Sequence, residues 1–135
     1  MRYEVAIGLH NGYIVWISQG RPAGRWPDIN IFRDRLRGML LDAGEQAVAD
    51  LGYRGEPSTI NLPKQGTENW QVEMGEARAR HETCNNRFKK WTVLQVRFRQ
   101  QIDFHEACFT AVVVITQLQI QYGQPLFYVE INGDI

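Results

Sequence analysis

Charge of one sign is missing from this sequence. Fifteen Lys plus Arg stand against fifteen Asp plus Glu in 135 residues, so there is no net charge, and any attraction to nucleic acid has to be local. Cysteine is scarce. Cys84 and Cys108 alone cannot build a disulfide framework, and no charged-then-apolar leader precedes the first patterned residues, so the expected setting is reducing and intracellular. Long apolar runs are absent too: the longest lies around 111–115, far short of the ~20 residues a spanning helix needs, and no membrane partner is expected. No repeat, low-complexity tract or linker divides the chain, so residues 1–135 read as one domain. Its 44% hydrophobic content, with four Trp, five Tyr and six Phe, suffices for a core.

Tyr3, Val5, Ile7 and Leu9 alternate with Arg2, Glu4, Ala6 and Gly8, the period of a strand with one buried face. Asn11-Gly12 tolerates positive φ and predicts a hairpin, with 13–17 as the returning strand. A loop rich in Gly and Pro ends at Asp28, a candidate N-cap, after which Ile29, Phe32, Leu36, Met39 and Leu40 share a helical face up to Ala43-Gly44. The run 46–49 reads as a short buried strand opening into a loop at Asp50, and 60–62 as one more. From about 71 to 91 the spacing of Ala77, His81, Cys84, Phe88 and Trp91 is helical. Asp103 with Glu106 resembles a capping box. Phe104, Cys108, Ala111, Val112, Ile115 and Leu118 then form the apolar stripe of a last helix ended by Gly123 and Pro125. The β-branched run 112–115 also suits a strand, but length and caps favour helix.

Arg78, Glu82 and Lys89 project from one side of the helix over 71–91, within about 40° of each other. A carboxylate between two cations suits a metal ligand beside phosphate-binding charges, and equally a solvated, salt-bridged face. Asp50 stands where active-site acids of α/β sheets collect, but an Asp two residues before Gly52 also makes a turn. Between 78 and 99 seven cations, Arg78, Arg80, Arg87, Lys89, Lys90, Arg97 and Arg99, face one acid, Glu82. Interleaved with Phe88, Trp91 and Phe98, they read either as a stripe that tracks a phosphate backbone or as a solubilising face.

These residues carry a resemblance. Asp50-Leu-Gly-Tyr53 resembles the second-aspartate motif of DDE transposases. Arg78-x3-Glu82-x6-Lys89 has the spacing around the third acid, and Gly24-Arg-Trp-Pro-Asp28 with Ile31-Phe32 is similar to the loop-to-helix segment of Harbinger-type elements. Order and spacing match over roughly residues 2 to 130. The resemblance implies an α/β, RNase H-like mixed sheet flanked by helices, a nuclear location, and metal-dependent cleavage and strand transfer of DNA with Mg²⁺ or Mn²⁺ held by three acids. Carried over, Asp50 and Glu82 are acids two and three and metal ligands, with Arg78 and Lys89 their catalytic basic neighbours. Arg80, Arg87, Lys90, Arg97 and Arg99 are DNA contacts, and Asp28 is an accessory acid that caps its helix.

The chain also departs from the family. Its first aspartate lies on a central strand upstream of the hairpin, and here no Asp precedes Asp28; Gly75 replaces a tyrosine found three residues before the arginine. The expectation is a domain lacking the first central strand and inactive alone, with a partner chain supplying that strand or the DNA-binding helices. Two other readings stay open: a domesticated, non-catalytic module binding DNA or protein, and a zinc-stabilised domain built on the H-x-x-C pairs His81/Cys84 and His105/Cys108.

Overall fold

The computed structural model describes residues 1–95 and 102–132. It is a mixed α/β arrangement of four short strands and five helices among the described residues: β1 (Val5–Ile7), β2 (Ile14–Ile17), α1 (Asp28–Asp34), α2 (Leu36–Ala43), β3 (Ala47–Val48), β4 (Ile60–Asn61), α3 (Glu68–Lys89), α4 (Thr92–Gln95) and α5 (Ile102–Gln121). None of these helices is long and apolar enough to cross a membrane.

The hairpin forms where Asn11-Gly12 predicts it. Gly12 takes φ of 70°, and β1 pairs with β2 antiparallel, Val5 opposite Ile17 and Ala6 opposite Trp16, with an irregularity between Ala6 and Ile7. The hairpin is covered on both faces, not one. Tyr3, Val5, Ile7, Ile14 and Ile17 pack on a core of Cys84, Phe88, Phe109, Val112, Val113, Ile120 and Leu126. Ala6 and Trp16 pack on a second core of Phe32, Leu36 and Ile60. The alternation of 2–9 hid the second face because Glu4 sits on it, and Glu4 is only 5% exposed.

A single helix expected over 28–43 is two. Arg35 leaves the helical region at φ −140°, separating α1 from α2, and Gly44 closes α2 in the left-handed region at φ 67°. The bend lets Arg33 of α1 and Arg37 of α2 both reach Glu56, at 2.5 and 2.8 Å. Little of Glu56 is exposed, and its hydrogen bond from Arg33 holds it below the usual carboxylate range. Asp28 is not the cap: it lies inside the first turn, Pro27 precedes it, and no side chain caps the helix.

β3 and β4 pair in parallel, Ala47 opposite Ile60, as a sheet separate from the hairpin. The expected single mixed sheet is thus two two-stranded pieces among the described residues. At the edge of β1 the carbonyl oxygen of Val5 accepts from His81 of α3, and in the following turn that of Leu9 accepts from Arg80, instead of from a strand.

α3 starts earlier than the apolar spacing showed, because Thr67 Oγ1 caps it by accepting from the amide of Trp70 at 3.2 Å. The stretch 112–115 is helical, inside α5, but the face that packs is not the expected stripe. Phe109, Val112, Val113, Thr116 and Ile120 are buried, while Phe104, Ile115 and Leu118 are exposed. Asp103 lies in the first turn of α5, and Glu106 Oε1 accepts from the amide of Gly20 at 3.3 Å, tying the helix to the hairpin's exit rather than closing a capping box.

Candidate functional site

Asp50, two residues beyond β3, opens a 3₁₀ turn over Leu51–Tyr53, where its Oδ1 accepts from the amide of Gly52 at 2.9 Å. It is therefore both strand-end acid and turn-former, and it is exposed. Asp28 stands beside it: Asp50 Oδ1 and Asp28 Oδ2 lie 3.1 and 3.4 Å from where a β-carbon on Gly52 would sit. Gly52 leaves the space between the two carboxylates open. Arg2 guards the rim, its Nη1 3.4 Å from Asp28 Oδ1 and donating to the Trp26 carbonyl at 2.9 Å.

Behind this pair is an acid that the sequence pattern placed on a solvent face. Glu4 Oε1 accepts from the Trp16 indole at 3.1 Å, and its backbone amide donates to Ser18 Oγ at 2.7 Å. Its other oxygen, Oε2, is buried with no partner at hydrogen-bonding distance. This carboxyl is pushed up to about 7, above all by burial, with the Trp16 and Tyr53 side chains pulling it down and the neighbouring Asp28 raising it. Tyr53 is the hub. Its hydroxyl is held far above the ordinary tyrosine value by burial first, then by Glu4, Asp28 and Asp50 in that order. Three carboxylates from three segments thus act on one phenol, and of these Asp28 and Asp50 flank Gly52.

Glu82 is elsewhere in character: it lies on the outward face of α3, with Lys89 at 3.9 Å and both side chains more than half exposed. Among the described residues, no three His, Cys, Asp or Glu side chains come together as a group that could hold a metal ion. The Mg²⁺ or Mn²⁺ implied by the resemblance therefore has no fitting donor set in this arrangement. Asp50 serves its own turn, and Glu82 pairs with Lys89.

The basic stripe divides by burial. Arg80 is 2% exposed, its guanidinium donating to the carbonyls of Gly8 at 3.2 Å and of Leu9, with Nε left without a partner. Burial lowers its affinity for the proton. Arg87 donates to the carbonyls of Gln124 and Pro125 at 2.6 and 3.1 Å, fastening the segment after α5 to α3. Arg80, desolvated, needs these carbonyl acceptors, whereas the bonds of Arg87 lie at the surface. Arg78, Lys89 and Lys90 are exposed on α3. Arg97 and Arg99 lie outside the described residues.

The His/Cys pairs have other partners. His81 Nε2 donates to the Val5 carbonyl at 2.8 Å, while the Asn85 amide is 3.3 Å from Nδ1. Cys84 is fully buried in the core, and burial pushes its thiol up to about 11. The Tyr3 hydroxyl lies 2.5 Å from His105 Nδ1, and the two rings stack at 5.6 Å. Burial, with Glu106 adding to it, pushes that hydroxyl up to about 12, so it stays protonated and donates. No family model matches the chain, and neither a curated protein nor a solved structure matches it.

Proposed function

We propose that this chain is a transposase-derived domain of the DDE class, Harbinger-like and RNase H-like in ancestry, that does not cleave DNA by itself. One observation carries the reading. Asp50, the residue matching the family's second acid, stands at the mouth of a parallel strand beside an open Gly52, where α/β sheets collect their catalytic acids. The order of the three motifs supports it, as does the packing of the Glu82-bearing helix directly onto the hairpin. No step of phosphodiester cleavage is assigned to the chain alone, since its acids among the described residues do not form a metal-holding group. Among the described residues, the exposed Arg78, Lys89 and Lys90 are its candidate DNA contacts.

The test is nicking of supercoiled plasmid in Mn²⁺. The chain alone is expected to leave the plasmid intact. A fusion that supplies an upstream strand carrying an aspartate is expected to nick it, and to lose that activity on Asp50→Asn or Glu82→Gln. Nicking by the chain alone, or by the fusion regardless of Asp50, contradicts the reading. The domesticated-module alternative is favoured by the same missing donor set, and persistent DNA binding with no nicking by any fusion would select it.

A further inference from the structure

α5 has two apolar faces, and among the described residues only one is packed. Opposite its core-facing side, Phe104, Cys108, Ala111, Ile115, Leu118 and Tyr122 follow each other at steps of four, three, four, three and four, the average period of a helix that packs along another helix. Phe104, Ile115, Leu118 and Tyr122 are 56, 38, 49 and 81% exposed. No Asp, Glu, Lys or Arg occurs between 107 and 129, in a chain with 22% charged residues. A charged partner would bury its charge here unpaired, whereas an identical face meets this one without repulsion.

We propose that this face seats a second copy of the chain, α5 running antiparallel to its counterpart across a two-fold axis at the level of Val113. In that register Phe104 faces Tyr122 of the second copy, Cys108 faces its Leu118, and Ala111 faces its Ile115. Each small residue meets a large one, and the aromatics close the two ends. Such self-complementarity is what an isologous interface requires. Val15 and Val114, 64 and 53% exposed beside the shallow groove between β2 and α5, extend the patch. Half-exposed side chains of this size offer roughly 80 Å² each, so two copies cover on the order of 1,000 Å², the lower end of specific interfaces. The dimer is therefore weak and concentration-dependent.

Sedimentation velocity over a concentration series tests this on the full chain. A shift from monomer at about 5 µM towards dimer at about 500 µM is expected, and Ile115→Lys with Leu118→Lys should abolish it while the far-UV spectrum and melting of the monomer stay unchanged. Register is read separately with a short bis-maleimide. Leu118→Cys should link to Cys108 of the second copy, and the unsubstituted chain should link poorly, because antiparallel packing keeps its two Cys108 apart. A monomer at every concentration, a dimer indifferent to the lysines, or efficient linking through Cys108 alone would overturn the proposal.

Discussion

Glu4 shows how one residue can reverse the reading of a strand. As the polar member of an alternating pattern it has the signature of a solvated position, yet Trp16 from the facing strand and Tyr53 from the Asp50 turn enclose it. Its carboxyl is raised from an ordinary 4.5 to about 7, so the folded state keeps a proton that the unfolded chain releases. Its contribution to stability is then full below about 4.5 and is lost as the pH rises through about 7. Full ionisation costs on the order of 3 kcal/mol. Urea titrations from pH 4.5 to 8 should show that decline in the natural chain, and Glu4→Gln should flatten it. A decline equally steep in Glu4→Gln would place the titrating group elsewhere.

Arg80 and its exposed neighbours separate two roles that charge alone confounds. Arg80→Met removes the donor that holds the hairpin carbonyls and should cost about 2–4 kcal/mol. Replacing Arg78, Lys89 and Lys90 with Ala should change stability by less than about 1 kcal/mol. In the triple variant the salt slope of DNA binding should fall by about one for each phosphate that these side chains neutralise. An unchanged slope would show that these three are only a solvated face.

At the scale of elements, the signals legible in the sequence were local and chemical. Asn11-Gly12 marked the hairpin, Gly44 the end of α2, Asp50 the turn after β3, and the spacing from Ala77 to Phe88 the body of α3. What was not legible depends on neighbours. Nothing in the composition of 28–43 marks the break at Arg35, which brings Arg33 and Arg37 to Glu56, more than twenty and nearly twenty residues away in sequence, respectively. In α5 both sides are apolar, so periodicity alone could not say which packs. Substitution can: Ile120→Ala, on the buried side at 3% exposure, should cost about 2–4 kcal/mol. Ile115→Ala, measured at low concentration, should cost less than about 1 kcal/mol. Comparable losses at the two positions would mean that both faces of α5 are packed within one molecule.

At the scale of the molecule, among the described residues one hairpin joins two cores, and the two small sheets are not joined to each other. The resemblance implies a further central strand beside the hairpin. It did not foretell that side chains from α3 would take carbonyl groups at the edge of β1 and in the turn after it, which is the outcome expected when buried backbone acceptors lack a strand partner. An arrangement held at that edge by a partly satisfied guanidinium and an imidazole should yield to a strand that offers a full ladder. The most direct test of the proposed relation to that family is thermal melting with increasing amounts of a peptide carrying the family's first strand and its aspartate. A melting temperature that climbs with peptide concentration, with new amide protection at Val5 and Ile7, is the predicted result. A cooperative transition that is already high and does not move with the peptide would show a reorganised, complete domain and contradict the reading.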